Sequence, residues 1–323
     1  MAGIYGLSCV LSAGGNTGTG KCSISIKHIV GDILIPHGKT YKASEFPTLV
    51  AKLQADAMAD NKFNRIYPIM VGYEEVELVN TERATKQFGY GRSVTLRDEM
   101  VGRRYTIYQN ECLNRSLVKF RDQESMFDRL AVTADGAIIG TQKTDPTTGE
   151  VLLGGFSLDT LYPSSFVEPT VADAGMWTLT LVMKSIDEWD NRLIVKPEDG
   201  NVVTDVMGLQ TVLLENVPQT PVVAGEYHIL ATVACGATNM ADVFGTELAA
   251  VGNWVASNFI TGELIEITSV AKTAANTFKI VLDTTDPNFV QGQKIKICLA
   301  APSVLATADI EGYEGECVIV PNA

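Results

Sequence analysis

Short segments in which apolar and polar residues alternate are the feature that most restricts the fold of this chain. In the clearest one, MWTLTLVM, the residues Trp177, Leu179, Leu181 and Met183 occupy every second position. Successive side chains of a β-strand point to opposite faces, so this period of two predicts a strand with one buried face. Asp135 and Gly136 stand between two apolar runs, in FDRLAVTADGAIIGTQ, and this pair predicts a hairpin turn.

Other segments rich in β-branched residues also predict strands. In CSISIKHIV the alternation runs through Ile24, Ile26 and His28. RIYPIMVGYEEVELV is interpreted as one strand, and SVTLRDEMVGRRYTIYQ as the next strands along the chain. Later in the chain, four short apolar segments are separated by Gly, Asn, Asp and Pro: GEYHILATVAC, GELIEITSVAK, TFKIVLDTT and QKIKICLAAP.

Two segments have helical spacing instead. The first helix is expected over residues 45–60, with Ser44 as N-cap and Pro47 in the first turn. The second is expected in NECLNRSLVKFRDQ, where Leu113, Leu117 and Phe120 form an i, i+4, i+7 stripe.

Charge divides the chain near residue 200. Residues 1–200 have 21 Lys and Arg against 25 Asp and Glu, whereas residues 201–323 have 4 against 13, a net of −9 out of −13. Such a shift indicates a domain boundary. We therefore expect a mainly β (α+β) fold. An assembly domain at 1–200, a β-sandwich or barrel with two flanking helices, is followed at 201–323 by an appended all-β module, immunoglobulin-like or similar.

Several classes of site have little support in the sequence. The chain has no apolar run long enough to span a bilayer and no signal-peptide pattern at Met1, so we expect no membrane contact and synthesis in the cytoplasm. The acidic balance argues against a general nucleic-acid surface. The cysteines lie far apart and are expected to be buried free thiols, without zinc spacing; they are Cys9, Cys22, Cys112, Cys235, Cys298 and Cys317.

One glycine-rich segment imitates a phosphate loop. GNTGTGKC matches G-x-x-x-x-G-K, but Cys22 replaces the hydroxyl residue that holds magnesium. A predicted strand follows it, where a helix N-terminus would be needed. We therefore interpret the segment as a flexible loop and predict neither a nucleotide nor any other cofactor.

Candidate acid–base and metal groups are also interpreted as structural. Glu74, Glu75 and Glu77 form one carboxylate cluster, and residues 187–190 contain another. Paired carboxylates can catalyse acid–base steps when burial separates their pKa values. On strand ends of an acidic protein they more often face solvent. No catalytic or metal-binding residue is predicted, and the chain is not expected to be an enzyme.

The candidate functional residues are instead those of subunit contacts. A glycine arm could become ordered against a neighbouring subunit. Arginines on a hairpin could pair with a neighbour's acidic groups or face DNA in a tunnel, and scattered surface charge is the alternative. The predicted interface residues are Gly14, Gly15, Gly18, Gly20, Arg97, Arg103 and Arg104.

The order of these segments resembles a known class of proteins. ASEFPTLVAKLQADAMADNKFNRIYPI is followed by NECLNRSLVKF, FDRLAVTADGAIIGT, GGFSLDTLYPSSF and SIDEWDN. Over residues 1–200 this order is similar to virion structural proteins, of tail or tail-tube type, in tailed phages of Bacteroidetes-type hosts. The resemblance implies a β-sandwich or barrel assembled into rings whose inner sheets line a channel.

The sequence therefore favours a structural virion protein of the phage tail that self-assembles into a ring or tube around a DNA channel, with a hexamer or a dodecamer as the candidate ring sizes. Its expected partners are itself, other virion proteins and DNA that passes without sequence-specific binding. The alternatives are a capsid-decorating or head-to-tail joining protein, then an adhesin-like protein with a glycan-binding β-module, and last an enzyme.

Overall fold

The computed structural model describes residues 4–5, 27–70, 75–82, 84–89, 92–97, 99–171 and 173–322. They divide into two compact units. The first is formed by Met1–Ala57 with Asn61–Met207, and the second by Met58–Asp60 with Gly208–Ala323. The chain is mainly β with a few helices, which confirms the predicted fold class.

The elements of the first unit are given in chain order. Its strands are β1 (Ile4–Tyr5), β2 (Ile29–Pro36), β3 (Thr40–Lys42), β4 (Tyr67–Ile69), β5 (Glu75–Leu78), β6 (Ala84–Phe88), β7 (Arg92–Arg97), β8 (Gly102–Tyr108), β9 (Phe127–Thr133), β10 (Ile138–Thr144), β11 (Val151–Gly154), β12 (Phe156–Pro163), β13 (Met176–Met183) and β14 (Arg192–Val195). Its helices are α1 (Leu49–Ala57), α2 (Glu111–Val118), α3 (Ile186–Asp190) and α4 (Val202–Asp205), with 3₁₀ helices at Ala43–Thr48 and Glu124–Met126.

Strand β9 is at the centre of the main sheet. It pairs antiparallel with β2, β10 and β12, and each of its residues is buried. From β12 the sheet continues through β13 and β8 to its edge at β5, in the order β12-β13-β8-β5. The alternation predicted for β13 is confirmed, because Trp177, Leu179, Leu181 and Met183 are all buried.

Helices cover both faces of the sheet around β2. Ile33 and Ile35 pack into a cluster with Leu49 and Leu53 of α1. Leu34, which points to the opposite face, packs into a cluster with Leu117 of α2. Strand β2 is therefore buried on both faces, and most of its residues, in IVGDILIP, are apolar.

Both predicted helices and the predicted hairpin are confirmed, with one correction at a helix start. The 3₁₀ turn before α1 begins at Ala43, so Ser44 lies inside it and is not its N-cap. The Lys42 amide donates to the Glu45 carboxylate at 2.8 Å. In the β9–β10 turn Gly136 has φ +79°, a conformation that glycine adopts without steric cost.

Two strand predictions were partly wrong. The segment expected as one strand over residues 65–79 contains two, because β4 pairs with β2 whereas β5 pairs with β8. The alternation at Ile24 and Ile26 lies outside the described residues, and the strand that follows begins only at Ile29, after His28.

The second unit is a sandwich of two sheets. Its strands are β15 (Gln210–Asn216), β16 (Glu226–Val233), β17 (Trp254–Asn258), β18 (Leu264–Ile265), β19 (Ile267–Lys272), β20 (Phe278–Leu282), β21 (Lys294–Leu299), β22 (Tyr313–Gly315) and β23 (Cys317–Pro321). It also contains α5 (Met240–Val243), α6 (Pro302–Thr307) and 3₁₀ helices at Glu247–Ala249 and Val251–Asn253. The sheets have the orders β19-β20-β16-β15-β22 and β18-β17-β21-β23.

One core joins these two sheets. Ile229 and Phe278 of the first sheet belong to the same buried cluster as Trp254, Ile295 and Ile297 of the second. The indole N–H of Trp254 donates to the carbonyl of Leu248 at 2.8 Å, so the polar atom of this large buried side chain is satisfied.

The expectation of free cysteine thiols was wrong. Cys298 and Cys317 lie directly opposite each other on β21 and β23 and form a disulfide. Cys112 and Cys235 are disulfide-bonded as well. Antiparallel pairing brings residues 19 positions apart into contact, which sequence spacing alone does not reveal.

The disulfide should stabilise the second unit measurably. We expect Cys298→Ala with Cys317→Ala to lower its free energy of unfolding by about 3 kcal/mol. The bond joins residues 19 positions apart, and closing a loop of about this length restricts the unfolded chain by about that free energy. Chemical denaturation followed by circular dichroism measures the change.

A matched control removes the neighbouring cross-strand pair, Lys296→Ala with Ile319→Ala, which faces the same side of the same strands. We expect this control to cost less than about 1 kcal/mol. Equal losses in the two double variants would show that the covalent link contributes nothing.

Candidate functional site

The candidate site is a β-hairpin that extends from the edge of the main sheet. Strands β6 and β7 pair antiparallel with each other and form a separate two-stranded sheet, here called the hairpin arm. Thr81 and Met100 exchange backbone hydrogen bonds of 3.0 and 3.1 Å, which link the arm to the β5–β8 ladder. In the described part of the chain, no other strand pairs with β6 or β7.

The hairpin arm is basic in an acidic protein. Residues 84–97 include Lys86, Arg92 and Arg97 and no Asp or Glu, whereas the whole chain has a net charge of −13. The predicted interface residue Arg97 lies on β7, opposite Ala84. The arm therefore carries a charge opposite to the net charge of the chain.

Strand β5 is the exposed edge from which the arm extends. All four of its residues are exposed, including two apolar ones, Val76 at 45% and Leu78 at 63% of their full accessibility. An edge strand presents unpaired backbone N–H and C=O groups to other chains. Apolar side chains on such an edge favour addition of a strand from a partner.

The two adjacent arginines of β8 point to opposite faces of the sheet. Arg104 forms an ion pair of 3.1 Å with Glu77, its cross-strand neighbour on β5, and both side chains are exposed. Arg103 is half-buried, with its guanidinium carbon 5.7 Å from the centre of the Trp189 ring. The structure therefore does not bring the three predicted arginines onto one surface.

Arg103 lies close to a buried ionic cluster. Arg129 of β9 donates through Nε to Asp32 of β2 at 2.6 Å, and through Nη2 to the hydroxyl of Tyr105 on β8. All three side chains are fully buried. Burial raises the pKa of Tyr105, so its hydroxyl stays protonated at neutral pH.

Gly14, Gly15, Gly18 and Gly20 lie outside the described residues, as does the rest of the phosphate-loop-like segment. Glu74 also lies outside them, and Glu77 pairs with Arg104 as described.

The second carboxylate cluster has a structural role. Glu188 accepts hydrogen bonds from the backbone N–H and the hydroxyl of Ser157, at 2.7 and 2.9 Å, and so ties α3 to β12. In the described ranges no group of three His, Cys, Asp or Glu side chains has metal-binding geometry. No helix among these residues is long and apolar enough to cross a membrane.

Two of the histidines take part in local ion pairs. His37 contacts the buried carboxylate of Asp128 at 2.8 Å. His228 contacts Glu226 at 3.1 Å, and Lys279 contacts the same carboxylate at 2.6 Å. The hydrogen bonds from Lys279 and then His228 lower the pKa of Glu226.

No family model and no curated protein matches this chain.

Sequence reasoning missed the buried ionic cluster. Asp32 sits within the apolar run IVGDILIP and Arg129 within FDRLAV, and a charged residue inside such a run is the signal that could have revealed them. Charges in a buried strand are rare unless they are paired.

The buried Asp32–Arg129 ion pair should contribute far more to stability than the exposed Glu77–Arg104 ion pair. We expect Arg129→Met to lower the free energy of unfolding of the first unit by about 3–5 kcal/mol, because it leaves the Asp32 carboxylate buried without its ion pair. Arg104→Met, the same change on β8, should cost less than about 1 kcal/mol.

Urea denaturation of the two variants compares these costs directly. Losses of similar size would contradict the assignment of the Asp32–Arg129 pair as the main ionic contact of the sheet.

Proposed function

We propose that this chain is a structural protein of a phage virion, which self-assembles into a ring or tube of the tail around a DNA channel. The observation that carries the proposal is the hairpin arm, which extends a sheet edge with exposed apolar residues. The arm and this edge are features that a subunit uses to contact the next copy.

The energetics of the arm favour a bound partner. A two-stranded hairpin is only marginally stable in water when no further strand or helix packs against it. Contact with a neighbouring subunit would supply the missing packing. In this proposal the arm contacts a different surface of the next copy in a head-to-tail arrangement. Head-to-tail contacts generate a ring when the rotation between copies closes and an open helical filament when it does not.

Charge supports the same arrangement. The basic arm is complementary to the acidic remainder of another copy, which favours encounter between subunits and fixes their orientation. The net charge of −13 also suits a channel wall, because negative surfaces do not adhere to the DNA backbone. Disulfides persist outside the reducing cytosol, including on virion surfaces, and fit a particle that acts there.

A second candidate is a capsid-decorating or head-to-tail joining protein. It is favoured by the outer face of the β18-β17-β21-β23 sheet, where Val255, Leu264 and Ile319 are exposed. An apolar outer face of this kind would contact another virion component. The proposal of a self-assembling ring or tube requires contacts between identical copies instead.

The arm is the part to remove in a test. A variant that lacks residues 83–98, with Asn-Gly inserted between Glu82 and Glu99, joins the paired strands β5 and β8 by a short hairpin turn. We expect it to fold, because the removed strands pair only with each other in the described structure. We expect it to remain monomeric under conditions in which the wild-type chain assembles, as measured by sedimentation velocity.

Charge can be tested separately from shape. Lys86→Gln, Arg92→Gln and Arg97→Gln together should weaken assembly, and the effect should depend on salt. The matched control Lys52→Gln, Arg115→Gln and Lys119→Gln removes three exposed charges from α1 and from α2 with its C-cap, and should leave assembly unchanged. An armless variant that forms the wild-type oligomer would refute the role of the arm.

A further inference from the structure

A small basic pocket lies in the first unit, on the opposite face of β8 from Arg104. Arg103 of β8 and Arg192 of β14 line it together with Trp189 of α3. Lys27 and His28 stand exposed at its rim, and the apolar side of the pocket is formed by Ile29 and Ile139. The cavity has a volume of about 230 Å³, and none of the described residues that line it is acidic.

Two guanidinium groups flank the same indole ring in this pocket. The guanidinium carbons of Arg103 and Arg192 lie 5.7 and 5.5 Å from the centre of the Trp189 ring. Arg192 also donates to the Trp189 carbonyl at 3.3 Å. Cation–π contacts of this kind favour fixed positions of the guanidinium groups and leave their other N–H groups available to an anion.

The positive charge of the pocket is not neutralised within the described structure. Neither Arg103 nor Arg192 forms an ion pair with a described residue. The Nε of Arg103 is buried and has no hydrogen-bond partner among these residues. A buried donor without an acceptor costs free energy that a bound anion would recover.

The surroundings of Arg103 increase this cost. Burial lowers the pKa of Arg103 most. Tyr105 then raises this pKa, the charge of Arg129 lowers it and the charge of Asp32 raises it. The Asp32 carboxylate is already held by Arg129 at 2.6 Å. A carboxylate bound in the pocket would stabilise the charged form of Arg103 against the cost of burial.

We propose that this pocket is a carboxylate-binding socket, occupied in the assembled protein by an Asp or Glu side chain of a second copy of this chain. The inference rests on the proposed self-assembly and names one contact of it. Planar guanidinium groups bind a carboxylate through paired N–H···O bonds. The chain has 38 acidic residues against 25 basic ones, so a second copy supplies the matching charge in excess.

Variants of the pocket test this contact through assembly. We expect Arg192→Glu, and separately Arg103→Gln with Arg192→Gln, to weaken self-association about tenfold or more, because charged hydrogen bonds are lost. Arg192→Lys keeps the positive charge but loses the paired N–H donors of the guanidinium group, and it should weaken self-association less. Arg115→Gln, an exposed arginine on α2, is the control. Circular dichroism and thermal unfolding establish that each variant is folded. Arg192→Glu also places a carboxylate beside Arg103 at the Trp189 ring, where it would occupy the socket in place of the incoming side chain.

Citrate provides a direct probe of the socket. Added at constant ionic strength against potassium chloride, it should dissociate the wild-type assembly and should bind to the wild-type chain but not to the Arg103→Gln, Arg192→Gln variant in calorimetry.

The outcomes separate the two proposals. Assembly of the pocket variants with wild-type affinity would overturn the socket and leave the ring proposal standing. Citrate binding that depends on the arginines, with assembly unaffected, would overturn the second copy as occupant and identify a site for small free anions. A wild-type chain that never associates would overturn both proposals.

Discussion

The buried contact of Arg129 with Asp32 and Tyr105 is the interaction on which the rest of the first unit depends. It ties together β9, β2 and β8, and all three side chains are inaccessible to solvent. A shift of β8 by one residue would place Tyr105 on the opposite face and leave the Arg129 guanidinium without one acceptor. The register of β8 in turn decides where the hairpin arm begins and which face receives Arg103 or Arg104.

The strands with one buried face could be predicted from the sequence because their alternation is a direct consequence of burial. β13 and the β9–β10 hairpin are of this kind, and so are the helices around Leu53 and Leu117. Strands β4 and β5 were merged because nothing in RIYPIMVGYEEVELV marks a change of partner strand. The pairing of Cys298 with Cys317 was missed for the same reason, since it depends on the register between β21 and β23.

The candidate site was predictable only in part. SVTLRDEMVGRRYTIY predicted strands that carry arginines, but the expectation that these arginines lie on one hairpin was wrong, because β7 pairs with β6 whereas β8 pairs with β5 and β13. Arg103 and Arg104 point to opposite faces because successive side chains of a strand alternate. The contacts of Arg103 and Arg192 with the Trp189 ring require two distant segments, β8 and residues 189–192, to converge. Contacts of this kind are properties of the folded chain and leave no local pattern in the sequence.

The central claim is that copies of this chain form a closed assembly, and electron microscopy of the purified wild-type protein in negative stain tests it most directly. We predict rings or stacked tubes with a central hole and rotational symmetry, and a light-scattering mass that is an integral multiple of the 34.8 kDa chain. Particles of 34.8 kDa at every protein and salt concentration, without rings, would contradict the account.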